Sequence, residues 1–386
     1  MLEHERDEVR WLAEARVGIK STINETRAAR LLGMAKRGPA AIYLKHSGAH
    51  THRWSGGDKS NFQNLRRGGA LRSAVTAPDK YVIVACDSAQ IEARGLAWLA
   101  GDAELLQAFR EGRDVYSELA SEIYGRHVDR KKNKEDEIPG FVGKVATLGL
   151  GYGMGWKKFA GTLLAGAIGG PPVQFTAGDA ASMWVNVPEF KVRNAEALET
   201  MITRLKPEDL AVHCAVAKAI VDKYRKVRKD IKAFWDTAAH AIAWMDEGAA
   251  QGFGPSEMFK TARHKLILPS GNVLNYPGLR GSDEGYSYLG GRAKTERARL
   301  YGGAFTENIV QAFCRDIIAE QMACLYAEHG YRPLTMTHDE IVFLAHEDDA
   351  KLAEETVLKV MRTPPDWCKD LPLNAEAGYG KTYGDC

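Results

Sequence analysis

A chain of 386 residues, 45% hydrophobic and 26% charged, has the composition of an ordinary globular protein and length for two or three packed domains. The start, Met1-Leu-Glu-His-Glu-Arg-Asp-Glu8, is too charged for a signal peptide, and the longest apolar runs, 145–156 and 160–173, are too short and Gly-rich to span a bilayer. Six scattered cysteines (Cys86, Cys214, Cys314, Cys324, Cys368, Cys386) include no Cys-x-x-Cys pair to suggest zinc or a redox site, which reads as a reduced, cytoplasmic chain with no membrane partner.

The net charge of +2 says little, but its distribution says more. Between Arg16 and Arg72, twelve Lys/Arg face only Glu25 and Asp58, a local excess of +10, interleaved with Tyr43, Trp54 and Phe62. Such a stretch suits a phosphate backbone, although charge density alone fits a solvated face equally well. In chain order, residues 6–48 read as helices broken near Gly33 and Gly38-Pro39. Residues 81–86 (Tyr-Val-Ile-Val-Ala-Cys) read as a strand ending at Asp87, followed by a helix to about Leu99. Residues 103–263 are mostly helical in period, with loops at 126–140, 168–178 and 249–256. Lys265–Asn275 and Leu334–Leu344 read as hairpins turning at Pro269–Asn272 and at His338-Asp339, with one long helix, Glu307–Glu328, between them. The order predicts an α+β fold whose sheet is assembled from distant segments.

Three groups of residues could carry chemistry. Asp87 closes an apolar strand and Asp339 sits in a turn between two more, with Glu340 beside it. A single Asp there is usually turn chemistry. If the strands are neighbours, however, the two carboxylates converge and suit Mg²⁺, and a pair of such ions about 4 Å apart supports phosphoryl transfer. In Gly140–Gly155 the glycines do not match a dinucleotide loop; Lys144, Leu148 and Tyr152 fall at i, i+4 and i+8 on one helix face. The polar loop Thr51–Leu65 offers Arg53, Asn61, Gln63 and Asn64, side chains able to reach minor-groove acceptors.

Together these segments resemble, in order, the motifs of family A DNA polymerases, most nearly those of bacteriophages. Asp87-Ser-Ala-Gln90-Ile-Glu92-Ala-Arg94 resembles motif A, Lys144 to Gly153 motif B, and His338-Asp339-Glu340 motif C. The Thr51–Leu65 loop and Asn308-Ile-Val-Gln311 with Arg315-Asp316 resemble two further conserved stretches of that family. The resemblance covers about residues 45–386 and implies a right-handed polymerase fold. Its palm would be an antiparallel sheet (49–104 and 264–386), its fingers helical (105–263), and its thumb short or partial (1–48). It implies DNA synthesis by two-metal nucleotidyl transfer, with Asp87 and Asp339 holding two Mg²⁺ (Mn²⁺ as a substitute) and Glu340 in catalytic support. Gln90, Glu92, Tyr116, Lys144, Leu148 and Tyr152 would contact the incoming deoxynucleoside triphosphate, Glu92 as a gate against the ribose 2′-hydroxyl. Arg53, Asn61, Gln63, Asn64, Gln311 and His338 would contact primer–template DNA.

The sequence departs from the family's pattern in two residues. Gly140 stands where motif B begins with an arginine, leaving Lys131, Lys132 and Lys134 as nearby cations, and Leu148 replaces an aromatic residue. The short region before Arg53 leads us to expect no exonuclease domain in the chain, and a separate exonuclease, thumb or processivity subunit as partner. The expected setting is phage replication in a bacterial host cytoplasm. The competing expectations are a catalytically weak polymerase relic or one subunit of a split polymerase, and a single-subunit RNA polymerase, against which Glu92 argues.

Overall fold

The computed structural model describes residue 8 and residues 23–57, 61–166, 170–201, 203–291 and 295–386. Residues 1–7 and 9–22 of the expected N-terminal thumb segment, and Arg16, Lys20 and Lys59 of the basic stretch, lie outside the described residues. Helix α1 (Ile23–Ala35) runs unbroken through Gly33 and ends ahead of Gly38-Pro39. A two-residue strand pair, Leu44–Lys45 with Ser55–Gly56, then folds the Arg53 loop back on itself.

Strand β1 (Tyr81–Ser88) is the organising element. Its β-branched and small residues suit a pleated strand covered on both faces. Val84 and Cys86 enter the main core, whereas Ile83 and Ala85 pack with Val342 and Tyr383 on the other side. Helix α2 (Ile91–Ala100) follows directly, reached through Gln90 in a left-handed conformation (φ 57°). Helices α3 (Val115–Tyr124) and α4 (Glu137–Leu150) pack closely because Gly143 has no side chain: a Cβ there would lie 2.2 Å from the Tyr116 carbonyl oxygen. Helices α5 (Pro207–Val227) and α6 (Lys229–Glu247) complete the helical half, α5 joining α4 in a second core that includes Val142, Val145, Phe159, Ile220 and Tyr224.

The helical reading to residue 263 is too long. Gly248 (φ 80°) ends α6, and an antiparallel sheet follows: β2 (Gly252–Phe253), β3 (Phe259–Ala262), β4 (Lys265–Ile267) and β5 (Val273–Asn275). The loop expected over 126–140 likewise ends early, because Pro139 is accepted in the first turn of α4. A hairpin of β6 (Tyr286–Gly290) and β7 (Glu296–Leu300) leads into α7 (Gly302–His329), whose 28 residues cross the main core. Strands β8 (Pro333–Thr337) and β9 (Glu340–His346), helix α8 (Ala350–Arg362) and strand β10 (Ala375–Gly380) finish the chain. The central sheet has the order β8-β9-β1-β10, antiparallel throughout. Among the described residues no helix is long and apolar enough to cross a membrane.

One buried polar knot ties these parts together. Arg315 and Asp316 on α7 are adjacent and paired at 3.0 Å, each with a side chain about 95% buried (6% and 5% exposed). Asp316 also accepts hydrogen bonds from Ser270 and Asn272 in the β4–β5 turn. The Arg315 guanidinium donates to the His52 carbonyl oxygen (3.0 Å) and lies 4.2 Å from the Trp54 ring centroid. Removing one partner strands the other charge in the core, which typically costs about 3–5 kcal/mol. Asp316→Ala should therefore lower the urea unfolding midpoint by an amount corresponding to about 3–5 kcal/mol; a loss under about 1 kcal/mol would show that the knot contributes little.

Candidate active site

The site forms where β1 and β9 meet. In the register of the sheet, Glu340 lies opposite Asp87 and Glu376 of β10 lies opposite Asp87 on the other side. Directly opposed residues of antiparallel strands project to the same face, so three carboxylates stand in a row across the sheet. Asp339 precedes β9 in the turn, with its carbonyl oxygen accepting from the Ser88 amide at 3.1 Å. The turn that carries it is left-handed at His338 (φ 59°). The two acids are therefore neighbours, as expected if their strands pair, with Asp87 near the end of β1 and Asp339 in the turn before β9.

Like charges at this spacing repel, and burial adds to the cost. Burial, with the Asp87 charge next, pushes the Asp339 carboxyl up to about 7. Asp87 is also raised, by burial first, with Glu340 and Glu376 adding and Arg67 opposing. These two acids have the character of a cation site, because a hard divalent ion takes one or two protein carboxylates and relieves their repulsion. Arg67, two-thirds exposed, provides part of that charge, 3.2 Å from Asp87 and 3.7 Å from Glu340.

Glu340 is different. Expected to support the metal pair, it is buried with both oxygens engaged: Arg72 pairs with one at 2.7 Å and the Tyr383 hydroxyl donates to the other. Arg72 in turn stacks 3.7 Å from the centroid of the Tyr383 ring and donates to the Tyr383 carbonyl oxygen. Glu340 thus anchors the Asp339 turn to the Arg72 helix and the segment after β10, with each oxygen already held by a protein donor. Arg67, Arg72, Glu376 and Tyr383 were not foreseen, because nothing in their local sequence marks them and only strand pairing brings them in.

A cavity beside the acids is lined by Arg53, Gln90, Glu92, Leu148, Gln311, His338 and Asp339, seven of the residues selected from sequence. Arg53 holds Glu92 at 2.8 Å, and Tyr152 also hydrogen-bonds to that carboxylate; burial nevertheless leaves the Glu92 pKa raised. Tyr152 lies in the turn after α4, so the proposed face of Lys144, Leu148 and Tyr152 is helical only for the first two. That turn is fixed by the Trp235 indole donating to Gly151 (2.7 Å), and Gly303 lets α7 approach the Tyr152 carbonyl. Lys144 is half-buried and makes no ion pair among the described residues. Tyr116 is buried below, hydrogen-bonded to Gln90.

Other residues of the Thr51–Leu65 loop have internal work. Gln63, expected to contact DNA, is buried: it accepts from the Gly56 amide (2.8 Å) and donates to Trp54 and Met336 carbonyls. Asn61 caps the short 3₁₀ turn by accepting from the Gln63 amide, and Asn64 is exposed. Gln311 accepts from the Thr51 hydroxyl and donates to Glu307. At Gly140 the side chain packed on the helix is Arg130, rather than any of the lysines expected there: a Cβ on Gly140 would lie 2.3 Å from the Arg130 Cβ. The Arg130 guanidinium pairs with Asp114 (2.6 Å) and sits 4.9 Å from the Tyr116 ring centroid. An arginine installed at Gly140 would collide with one already present.

Known proteins resemble this chain over most of its length. A family model described as DNA polymerase family A matches residues 20–167. The chain is 28% identical over 326 residues to a DNA polymerase of Bacillus phage SP02, covering 81% of the chain and 42% of that protein. It is 38% identical over 330 residues to the thermostable DNA polymerase I of Thermus aquaticus, covering 84% of the chain and 30% of that protein. The chain belongs to DNA polymerase family A. The polymerase domain of Pol1 from M. smegmatis, solved with DNA primer-template and dNTP, shares the fold at a TM-score of 0.57 and 19% identity, over 92% of this chain and 50% of that one. The chain spans less than half the length of these curated family A relatives.

The raised acid pair has a measurable consequence for this family A chain. Above the ordinary carboxyl value of 3.8, the unfolded chain has released the Asp339 proton, whereas the folded chain keeps it until about pH 7. Folding is therefore progressively penalised as pH rises through that window. In metal-free buffer, Asp339→Asn should gain stability relative to the parent by about 1–3 kcal/mol between pH 4 and pH 8, after allowing for partial solvent screening. A difference independent of pH in thermal or urea unfolding would show that the pair is not strained.

Proposed function

We propose that this chain is the catalytic core of a template-directed DNA polymerase acting in phage replication, adding deoxynucleotides to a primer 3′ end. The observation that carries this reading is the meeting of Asp87 and Asp339 at the β1–β9 junction, both carboxyls raised by burial first, with Asp339 lining the cavity shared by Glu92, Gln311 and His338. In this reading residues 49–104 and 264–386 form the palm, 105–263 the fingers, and 1–48 part of a thumb. The polymerase relatives and the pattern of motifs support it.

Asp87 and Asp339 would hold Mg²⁺, or Mn²⁺ in its place; their hard oxygen donors and unrelieved repulsion fit such ions. When bound, two such ions supply charge stabilisation for an in-line phosphoryl transfer and for the departing pyrophosphate. Lys144 projects from α4 as the cation for the triphosphate, with Arg130 stacked on Tyr116 as a second cation. Glu92, held by Arg53 and Tyr152, stands against the sugar, where its carboxylate excludes a 2′-hydroxyl. Tyr152 and Leu148 bound the base and sugar, Gln90 and Tyr116 buttress the nucleotide side, and Arg53, Gln311, His338, Asn61 and Asn64 face the primer–template. Gln63 keeps the Arg53 loop in shape from beneath.

Primer extension with four deoxynucleotides and Mg²⁺ tests the reading. The parent should extend, and Asp87→Asn or Asp339→Asn should each drop extension to background while primer–template binding changes by less than about tenfold, or 1.4 kcal/mol. Extension by either variant at near-parent rate would refute the metal assignment. A parent that binds DNA without extending it would favour the alternative, a catalytically weak relic or one subunit of a split polymerase.

The sugar gate is separable. Glu92→Ala should raise ribonucleotide incorporation relative to deoxyribonucleotide by about tenfold or more, the equivalent of 1.4 kcal/mol of discrimination. Unchanged selectivity in competition assays would move the gate to another residue.

A further inference from the structure

The C-terminal end of α7 carries a second cluster of donors, on residues that no part of the proposed polymerase chemistry uses. Cys324, Glu328 and His329 place a thiol, a carboxylate oxygen and an imidazole nitrogen all within 4.8 Å of one another. Among the described residues this is the one such group of three or more Cys, His, Asp or Glu side chains. We propose that Cys324, Glu328 and His329 form a binding site for a borderline-soft divalent transition ion, Zn²⁺ by its donor set.

The helix explains how these residues meet. Cys324 and Glu328 are four positions apart, one turn above the other on the same side, and His329 follows in the last turn before Gly330 (φ 73°) ends the helix. The donor set decides the ion. Sulfur, nitrogen and oxygen together are a zinc-type combination, whereas Mg²⁺ and Ca²⁺ take oxygen ligands and avoid thiolate. This separates the cluster from the all-carboxylate pair at β1–β9. Four ligands around zinc stand about 3.5 Å apart at ordinary bond lengths, so the side chains need to close by about 1 Å. Glu328 and His329 are exposed and can do so by rotation.

The electrostatics also favour a cation. The site lies on the last turns of a 28-residue helix, the end at which the peptide dipoles point their negative charge. Glu320, one turn before Cys324, adds a carboxylate to the cleft beside it, which Lys359, Thr363 and Pro364 close on the far side. The thiol of Cys324 donates to Glu328, and an ion would replace that proton. Three protein ligands leave a fourth position facing the cleft for water. Only one cysteine contributes, so no Cys-x-x-Cys spacing marks the site in the sequence.

Cobalt substitution tests this without reference to polymerase activity. Untagged, metal-stripped full chain is titrated with Co²⁺, then Zn²⁺, while the near-ultraviolet sulfur-to-cobalt charge-transfer band is followed. One equivalent of Co²⁺ should bring the band up, and Zn²⁺ should abolish it. Cys324→Ser should remove it and His329→Ala should weaken binding at least tenfold. Asp87→Asn, which alters only the acid pair, should leave it unchanged. Zn²⁺ should also raise the thermal midpoint of the parent and not that of Cys324→Ser. Absence of the band at tenfold excess Co²⁺, or a band that survives in Cys324→Ser, would overturn the assignment. Neither outcome bears on the polymerase reading, because no nucleotide or DNA enters the experiment.

Discussion

The antiparallel pairing of β1 with β9 is the constraint on which the rest of the site depends. A strand has a side-chain period of two, so sliding β9 by one residue would turn Glu340 away from Asp87 and move the Asp339 turn out of reach. The register is held by apolar packing on both faces: Val84, Cys86, Ile341 and Phe343 are fully covered in the main core, and Ile83, Ala85 and Val342 on the other side. Greasy contacts far from any chemistry thus set the spacing of the acids.

Concentrating carboxylates at one junction is unfavourable unless each has a counter-charge, and the structure answers with two kinds. Glu340 is clamped permanently by Arg72 and Tyr383, in a place where water cannot screen the pair. Asp87 receives only the exposed, easily displaced Arg67, and Asp339 makes no ion pair among the described residues, feeling only Arg53 as a counter-charge. The same carboxylate group is structural in one position and available in another, and the difference lies in burial and partners. Arg53 shows the converse: a cation selected as a DNA contact is also the partner that holds Glu92 in the cavity.

Sequence was most informative where chemistry and periodicity coincide. The apolar run at 81–86, the turn at His338-Asp339 and the 265–275 hairpin were legible because strand-forming residues end abruptly at polar ones. Cavity-lining residues Gln90, Glu92, Leu148, Gln311 and His338 were named through the resemblance to the family A motifs, Leu148 also by its spacing from Lys144. Strand β10 was missed because Ala-Glu-Ala-Gly-Tyr-Gly has little intrinsic strand preference and is held by β1. The Glu340 clamp and the Arg130–Gly140 contact were invisible for a related reason: each joins residues that pattern does not link, and a glycine announces only that something comes close. Gln63 was misassigned because an amide in a polar loop looks the same whether it points to solvent or, as here, to its own backbone.

The scattered origin of the central sheet governs when the site can exist during synthesis. Strand β1 emerges early, but its neighbours β9 and β10 are made some two to three hundred residues' worth of intervening elements later, a separation far above the ten or so residues of a local loop. Until then β1 has both edges bare and its apolar face uncovered, the condition that invites pairing with the wrong strand. Tyr383, which fastens Glu340, comes later still. A ribosome-bound chain halted between Asp339 and Tyr383 would hold both acids without the clamp that aligns them, so the acid junction should stay unformed until the sheet closes from its far end.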